Sequence, residues 1–178
     1  MNVYICSLPQ NHLKSMMKFS WCFLVLGMMF SGCLKSDKGC PYKESDAVAP
    51  ASEQQSVEAY LSANGITAVK HSSGLYYQVV DAGAGKVPQL CSSVSVGYSG
   101  KLTNGTTFDQ QNLITFDLGR VIVGWQKGLP LIQKGGHIKL YIPPTLGYGA
   151  YDIKNNSGAV VIPANSILVF DVEIFDVN

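Results

Sequence analysis

Between Ser93 and Leu102 apolar and polar positions alternate. Val94, Val96, Tyr98 and Leu102 fall on one face, and Ser93, Ser95, Gly97 and Ser99 fall on the other. A period of two is that of a strand with one face buried. Asn104-Gly105 follows, a pair that suits the tight turn of a hairpin, so Thr106 to Asp109 is predicted as the returning strand. The alternation recurs from His137 to Ile142, with Ile138, Leu140 and Ile142 inward. It recurs again from Ile167 to Val177, with Leu168, Phe170, Val172 and Ile174 inward. Leu75 to Val80 and Ile114 to Leu118 are further short extended runs, and Gly- and Pro-rich stretches separate them: Asp81 to Lys86, Lys134-Gly135-Gly136, Pro143-Pro144. A long loop opens at Leu146 and is closed by Val160 to Pro163.

Two stretches depart from this period. In Val121-Ile122-Val123-Gly124-Trp125 a β-branched run meets an indole across a glycine. Gln126 to Ile132 then reads as a brief helix, held to a turn or two by Gly128 and Pro130. Earlier, Ser52-x-x-Gln55 has capping-box form, Val57, Tyr60 and Leu61 share a helical face, and Gly65 is placed to end the helix. Several strands joined by hairpins around one brief helix indicate an antiparallel α+β domain. Its expected extent is residues 73–178, preceded by a short helix and linker over 51–72 and a polar tether over 33–50.

Composition narrows the function. Apolar residues make up 47% of the 178-residue chain and the formal net charge is +1, with Arg120 the single arginine. That balance argues against nucleic acid as a partner. No spacing of His, Cys, Asp and Glu resembles a metal site, and no phosphate loop or nucleophile turn is present. The N-terminus changes the picture more. Phe19 to Phe30 is almost wholly apolar, preceded by Lys14 and Lys18 and followed by Ser31-Gly32-Cys33. A span this short fits a signal-peptide core and not a membrane-crossing helix. It resembles a bacterial lipoprotein signal over residues 1–32, with Cys33 as the lipidated first residue of the mature chain. The alternatives are a plain secretory signal and a core helix. With Cys33 modified, Cys40 and Cys91 remain, either bridged, as an oxidising compartment favours, or as two free thiols.

The ordered motifs Val96-Gly97-Tyr98-Ser99-Gly100, Leu102-x-Asn104-Gly105-x-x-Phe108-Asp109 and Phe116-x-Leu118-Gly119 lead into Val121-Ile122-x-Gly124-Trp125-x-x-Gly128-Leu129. Pro143-x-x-x-Gly147-Tyr148-Gly149 and Ile162-Pro163-x-Asn165-x-x-Leu168-x-Phe170-Asp171 complete the series. In this order they resemble an FKBP-type peptidyl-prolyl cis-trans isomerase, from about Leu75 to the C-terminus. The resemblance implies a five-stranded antiparallel sheet wrapped around the short helix after Trp125, with a proline-binding cleft between them. Trp125 would be its floor, with Tyr98, Phe108, Val121, Ile122 and Phe170 as walls and Ile162 covering one side. The Ile122 N–H and the Tyr148 hydroxyl would bond substrate carbonyls, and Asp109 would sit beside Tyr98 near the twisting bond. Ile114 stands where other members often carry an aromatic wall residue.

The expected activity is isomerisation of Xaa-Pro bonds in exported or envelope proteins, without metal or cofactor. Its partners would be proline-containing polypeptides, and a lipid anchor would hold the monomer to the membrane of a bacterial envelope. The competing readings are a non-catalytic chaperone using the same cleft and a purely structural lipoprotein.

Overall fold

The computed structural model describes residues 39–178. The signal segment over 1–32 and the lipidation position Cys33 lie outside the described residues. Helix α1 spans Ala51–Ala63 and α2 spans Val123–Gly128. The strands are β1 (Val69–Lys70), β2 (Tyr76–Asp81), β3 (Ser93–Leu102), β4 (Thr107–Asp117), β5 (His137–Ile142), β6 (Ile153–Lys154), β7 (Val160–Ile162) and β8 (Leu168–Val177). All pairings are antiparallel, and the main sheet has the order β1-β2-β5-β8-β3-β4, with β6-β7 a separate ribbon. The five strands that the resemblance implies are β2, β5, β8, β3 and β4. The 2-residue β1 adds a sixth at one edge, where the linker after α1 runs back along Tyr76 and Tyr77.

The alternating strands form as their patterns dictate. Val94, Val96, Ile138, Leu140, Ile142, Leu168, Val172 and Ile174 are all fully buried on the inner face. β4 differs from the expectation of two separate runs: it is one 11-residue strand, and the register against β3 shifts between Val96 and Tyr98. Most of β4 is exposed, so it has no inner face over Gln110–Leu113 to impose alternation.

Helix α2 lies against β5 because two small residues on one of its faces permit it. A Cβ on Gly124 would come within 2.6 Å of Ile142, and one on Gly128 within 2.6 Å of Leu140. Pro130 opens the 3-10 turn that follows, Leu129–Leu131. The close seat leaves Trp125 directed at the aromatic side of the sheet.

Helix α1 docks as its apolar face predicts: Val57 and Leu61 are buried against Tyr76 and Tyr141, with Tyr60 packed alongside. Its start is different from the capping-box expectation. Extended Pro50 is the N-cap, and no side chain caps the helix. Glu53 instead accepts from the Thr145 N–H and Oγ1 at 2.9 and 2.7 Å, and Gln54 Nε2 donates to the Ala49 carbonyl at 2.6 Å. Tertiary bonds have taken the side chains of the first turn. The end matches: Gly65 adopts φ 63°, with Gly65 N–H to Ser62 O and Ile66 N–H to Leu61 O, a Schellman closure.

The described part of the expected tether, residues 39–50, lies along the domain. Cys40 and Cys91 are joined by a disulfide with Cα atoms 5.6 Å apart. The Tyr42 hydroxyl donates to Asp117 Oδ2 at 3.1 Å and accepts from Arg120 Nε at 2.7 Å. Its ring covers Gly119 so closely that a Cβ there would meet ring carbon at 2.2 Å. Glu44 pairs with Lys127 at 2.7 Å, and Ala49 is buried. These contacts come from single residues spaced along a polar stretch, so no periodicity announces them.

Candidate active site

The inner face of the sheet and the start of α2 enclose a cleft of about 380 Å³. It is lined mainly by apolar and aromatic side chains, among them Tyr98, Phe108, Val121, Ile122, Trp125, Tyr148 and Phe170, with Asp109 and Arg120 as its charged members. Trp125 is the centre of the aromatic array. Its ring meets Tyr98 edge-on at 5.1 Å and 88°, Phe170 edge-on at 5.1 Å and 85°, and Phe116 tilted at 5.4 Å. Phe108 adds an edge contact to Phe170 at 5.5 Å. Offset and edge-on pairs of this kind are favourable beyond area burial, each by about 0.5–1.5 kcal/mol, and they hold the rings in fixed planes. Gly100 makes room for two of them: a Cβ there would lie 2.7 Å from both Phe108 and Phe170.

The indole is 4% exposed, yet it contributes to the cleft wall. Its Nε1–H is buried and meets no acceptor among the described residues. An unsatisfied buried donor costs about 1–3 kcal/mol, so a ring selected for core packing alone is poorly served here.

Polar groups converge at one side of this apolar space. The Tyr98 hydroxyl donates to Asp109 Oδ2 at 2.5 Å. Burial raises the Tyr98 phenol well above its ordinary range, and the hydrogen bond and charge of Asp109 raise it further. Tyr148 is raised first by burial and then by the Asp109 charge. Both phenols are therefore neutral donors at physiological pH. Tyr148 Oη has no hydrogen-bond partner among the described residues, which leaves its proton available. Ile122 is the N-cap of α2 and its carbonyl accepts from Trp125 and Gln126. Its own N–H precedes the helical ladder.

Of the site residues read from sequence, Tyr98, Phe108, Asp109, Val121, Ile122, Trp125, Tyr148 and Phe170 come together at the cleft. Ile162 does not. It is 3% exposed, pairs with Ile153 across the β6-β7 ribbon and turns into the main core, outside the cleft lining. Phe116 and Arg120 join the lining without having been assigned to it. Phe116 shares the parity of Ile114 and Leu118, which was the available signal. Arg120 had none, because its place depends on Tyr42 and on a 3.4 Å pairing with Asp117. Among the described residues no cluster of His, Cys, Asp and Glu side chains could hold a metal ion.

An antiparallel sheet closed over one short helix, with an aromatic slot at the helix start, defines a class of α+β domain with a preformed apolar binding site. The chain belongs to the FKBP-type peptidyl-prolyl cis-trans isomerase family, whose sequence model matches residues 85–175. The chain is 48% identical over 111 residues to the FKBP-type isomerase FkpA of Escherichia coli, a match covering 60% of this chain and 39% of that protein. The crystal structure of Escherichia coli FkpA superposes with a TM-score of 0.60 at 42% identity, covering 72% of this chain and 58% of that one. A peptidyl-prolyl isomerase from Pseudomonas syringae gives a TM-score of 0.61 at 26% identity, covering 73% of this chain and 97% of its own. The chain thus spans about two-fifths of the length of the curated relative it matches.

Proposed function

We propose that the protein isomerises Xaa-Pro peptide bonds of polypeptide clients, with the proline ring seated on Trp125. The observation that carries this reading is the cleft itself: about 380 Å³, aromatic on several sides, with the Tyr98–Asp109 pair at its edge. Rotation about an amide bond has a barrier of about 18–20 kcal/mol because twisting destroys resonance. The planar amide is strongly dipolar and the twisted one is less so. A water-poor aromatic slot therefore disfavours the planar ground state more than the twisted transition state, and only such a difference raises the rate.

The polar groups divide the remaining work. The Ile122 N–H and the Tyr148 hydroxyl are placed to bond client carbonyls and hold the chain while the bond turns. Asp109, held by the Tyr98 hydroxyl, would face the twisting bond. Phe108 and Phe170 close the slot. None of these steps calls for a nucleophile or cofactor. In a protease-coupled assay on a Xaa-Pro peptide, Phe108→Ala should lower kcat/KM about tenfold, from the loss of roughly 1.4 kcal/mol of apolar contact by a wall residue that is only partly withdrawn from the slot. Unchanged kcat/KM in this variant would count against the assignment.

The same proposal extends to location. Residues 1–32 act as an export signal, Cys33 carries the lipid, and the domain works as a monomer in a bacterial envelope. The Cys40–Cys91 bridge supports an oxidising compartment. No helix among the described residues is long and apolar enough to cross a membrane; in this proposal the lipid on Cys33 provides the attachment. Cys33→Ser should move the protein from the membrane to the soluble fraction. Retention of the variant in membranes would contradict the anchor.

A further inference from the structure

We propose that the outer edge of β4 is a second recognition element, on which the client segment flanking the proline pairs as an added strand. The inference rests on the isomerase reading of the cleft and extends it to how longer clients are held. β4 is the terminal strand of the main sheet, and among the described residues only β3 pairs with it. One row of its backbone N–H and C=O groups is therefore unused by the sheet.

Natural edge strands are blunted by shortness, by Lys or Pro, or by a covering segment. The opposite edge follows that rule, since β1 has only 2 residues. β4 does not. It has 11 residues, Thr-Phe-Asp-Gln-Gln-Asn-Leu-Ile-Thr-Phe-Asp, without Lys, Arg or Pro, and it is exposed from Asp109 to Thr115. Its protective features are two register shifts, one opposite Val96 and Tyr98 and one at Phe108 opposite Gly100 and Lys101, which leave Asp109 to Gln111 and Ile114 to Asp117 as regular stretches.

This edge is continuous with the cleft. Phe108, Asp109, Ile114 and Phe116 belong to β4 and also line the cleft. A polypeptide with its proline on Trp125 reaches β4 within a few residues, at about 3.3 Å of extended chain each. Such strand addition takes its affinity from main-chain bonds and so tolerates many client sequences. Charge favours a client over a second copy of the chain. The ionisable side chains of β4 are Asp109 and Asp117, so pairing with itself would gather carboxylates, whereas a lysine-bearing segment would complement them.

The test uses the full chain and synthetic peptides. Ala-Ala-Phe-Pro is compared with the same peptide extended by Lys-Thr-Val-Lys-Thr, at the N-terminus in one series and at the C-terminus in another. One series should bind about tenfold more tightly than the short peptide. Backbone N-methylation of alternate residues in the extension should remove that gain in one set of positions and spare it in the other. A gain that survives N-methylation in both sets, or no gain in either series, overturns the proposal. So does a dimer in sedimentation that the extended peptide fails to dissociate, because the edge then belongs to a second copy. Isomerisation of the short peptide is measured in the same preparation. If it is catalysed while extension has no effect, the edge alone is rejected; if it is not catalysed, the cleft reading fails separately.

Discussion

Two aromatic clusters occupy this domain, and they are finished differently. Beneath α1, Tyr76 and Tyr141 are sealed by Val57 and Leu61, with Tyr60 tilted against Tyr141 at 6.4 Å. Their hydroxyls have fixed partners: Tyr76 donates to Glu58, and Tyr141 donates to Gln78 Oε1 at 2.7 Å. In the cleft, Trp125 keeps an unpartnered N–H, Tyr148 keeps a free hydroxyl among the described residues, and ring faces border empty volume. Burial raises the phenols in both places. The contrast teaches that aromatic content alone does not mark a site. What marks it is aromatic surface left uncovered together with polar hydrogens left unspent, a state that packing for stability would have removed.

The sharpest way to break the comparison is to truncate the centre of each cluster. Trp125→Ala removes the slot floor and should reduce kcat/KM about 10- to 100-fold, from the loss of roughly 1.5–3 kcal/mol of contact to the proline ring. Trp125→Phe keeps a ring and removes the unpaired donor, so by denaturant unfolding it should retain near-normal stability while still losing activity. Leu61→Ala should do the reverse. It should destabilise the domain by about 2–5 kcal/mol and leave kcat/KM of the folded protein unchanged. If Leu61→Ala impaired catalysis as strongly as Trp125→Ala, the two clusters would not be functionally distinct.

The segment over residues 39–50 sharpens the same contrast from the side of the cleft. Its disulfide closes a sequence separation of 51 residues, and a bridge of this kind typically contributes about 2–4 kcal/mol. Cys91→Ser should lower the unfolding free energy by that amount. It should also free Tyr42 from Gly119 and loosen Arg120 at the cleft rim, a smaller change readable as altered KM with kcat retained. Unchanged stability after reduction would mean that Tyr42 and Glu44 hold the segment without the bridge.

The smallest effect is the response to alkali. Tyr76, Tyr98, Tyr141 and Tyr148 all titrate above the ordinary tyrosine value in the folded protein, chiefly through burial. The fold therefore binds these protons more tightly than the unfolded chain. Their stabilising contribution is complete below about pH 10, the ordinary tyrosine value, and is lost as pH rises beyond it. Unfolding midpoints should fall between pH 9 and 11, while spectroscopic titration should find these phenols ionising later than exposed ones. A midpoint that rose over that range would contradict the direction of the shifts.

Much of this organisation was legible before any coordinates. β3, β5 and β8 alternate because the inner face of each is buried along its length, with Tyr141 of β5 also covered from the other side by α1, and their limits follow from that pattern to within a residue. The cleft floor and walls followed from the resemblance that the ordered motifs carry; the local reading was off, because Trp125, expected just before a helix over Gln126 to Ile132, lies inside α2 after a 3-10 turn and not at the end of a strand. The failures share a cause: they depend on contacts distant in sequence. β4 looked like two runs because an exposed edge imposes no period on Gln110 to Leu113. Ile162 was assigned to the cleft, but the β6-β7 ribbon pairs it with Ile153 and turns it inward. Ser52 looked like a cap until Pro50 took that place and Glu53 reached across to Thr145. Tyr42 and Glu44 are isolated anchors, each meaningful only beside Gly119 and Lys127, whereas the Cys40–Cys91 bridge was one of the two readings the cysteines left open.

The most direct measurement is the cis-trans exchange rate of a Xaa-Pro peptide, followed by NMR with a small molar fraction of the protein. Unaided exchange takes tens to hundreds of seconds. Wild-type protein should accelerate it in proportion to its concentration, and Trp125→Phe, folded as judged by its own spectrum, should be markedly slower. Exchange at the unaided rate in the presence of correctly folded wild-type protein would contradict the claim that this cleft turns a proline amide.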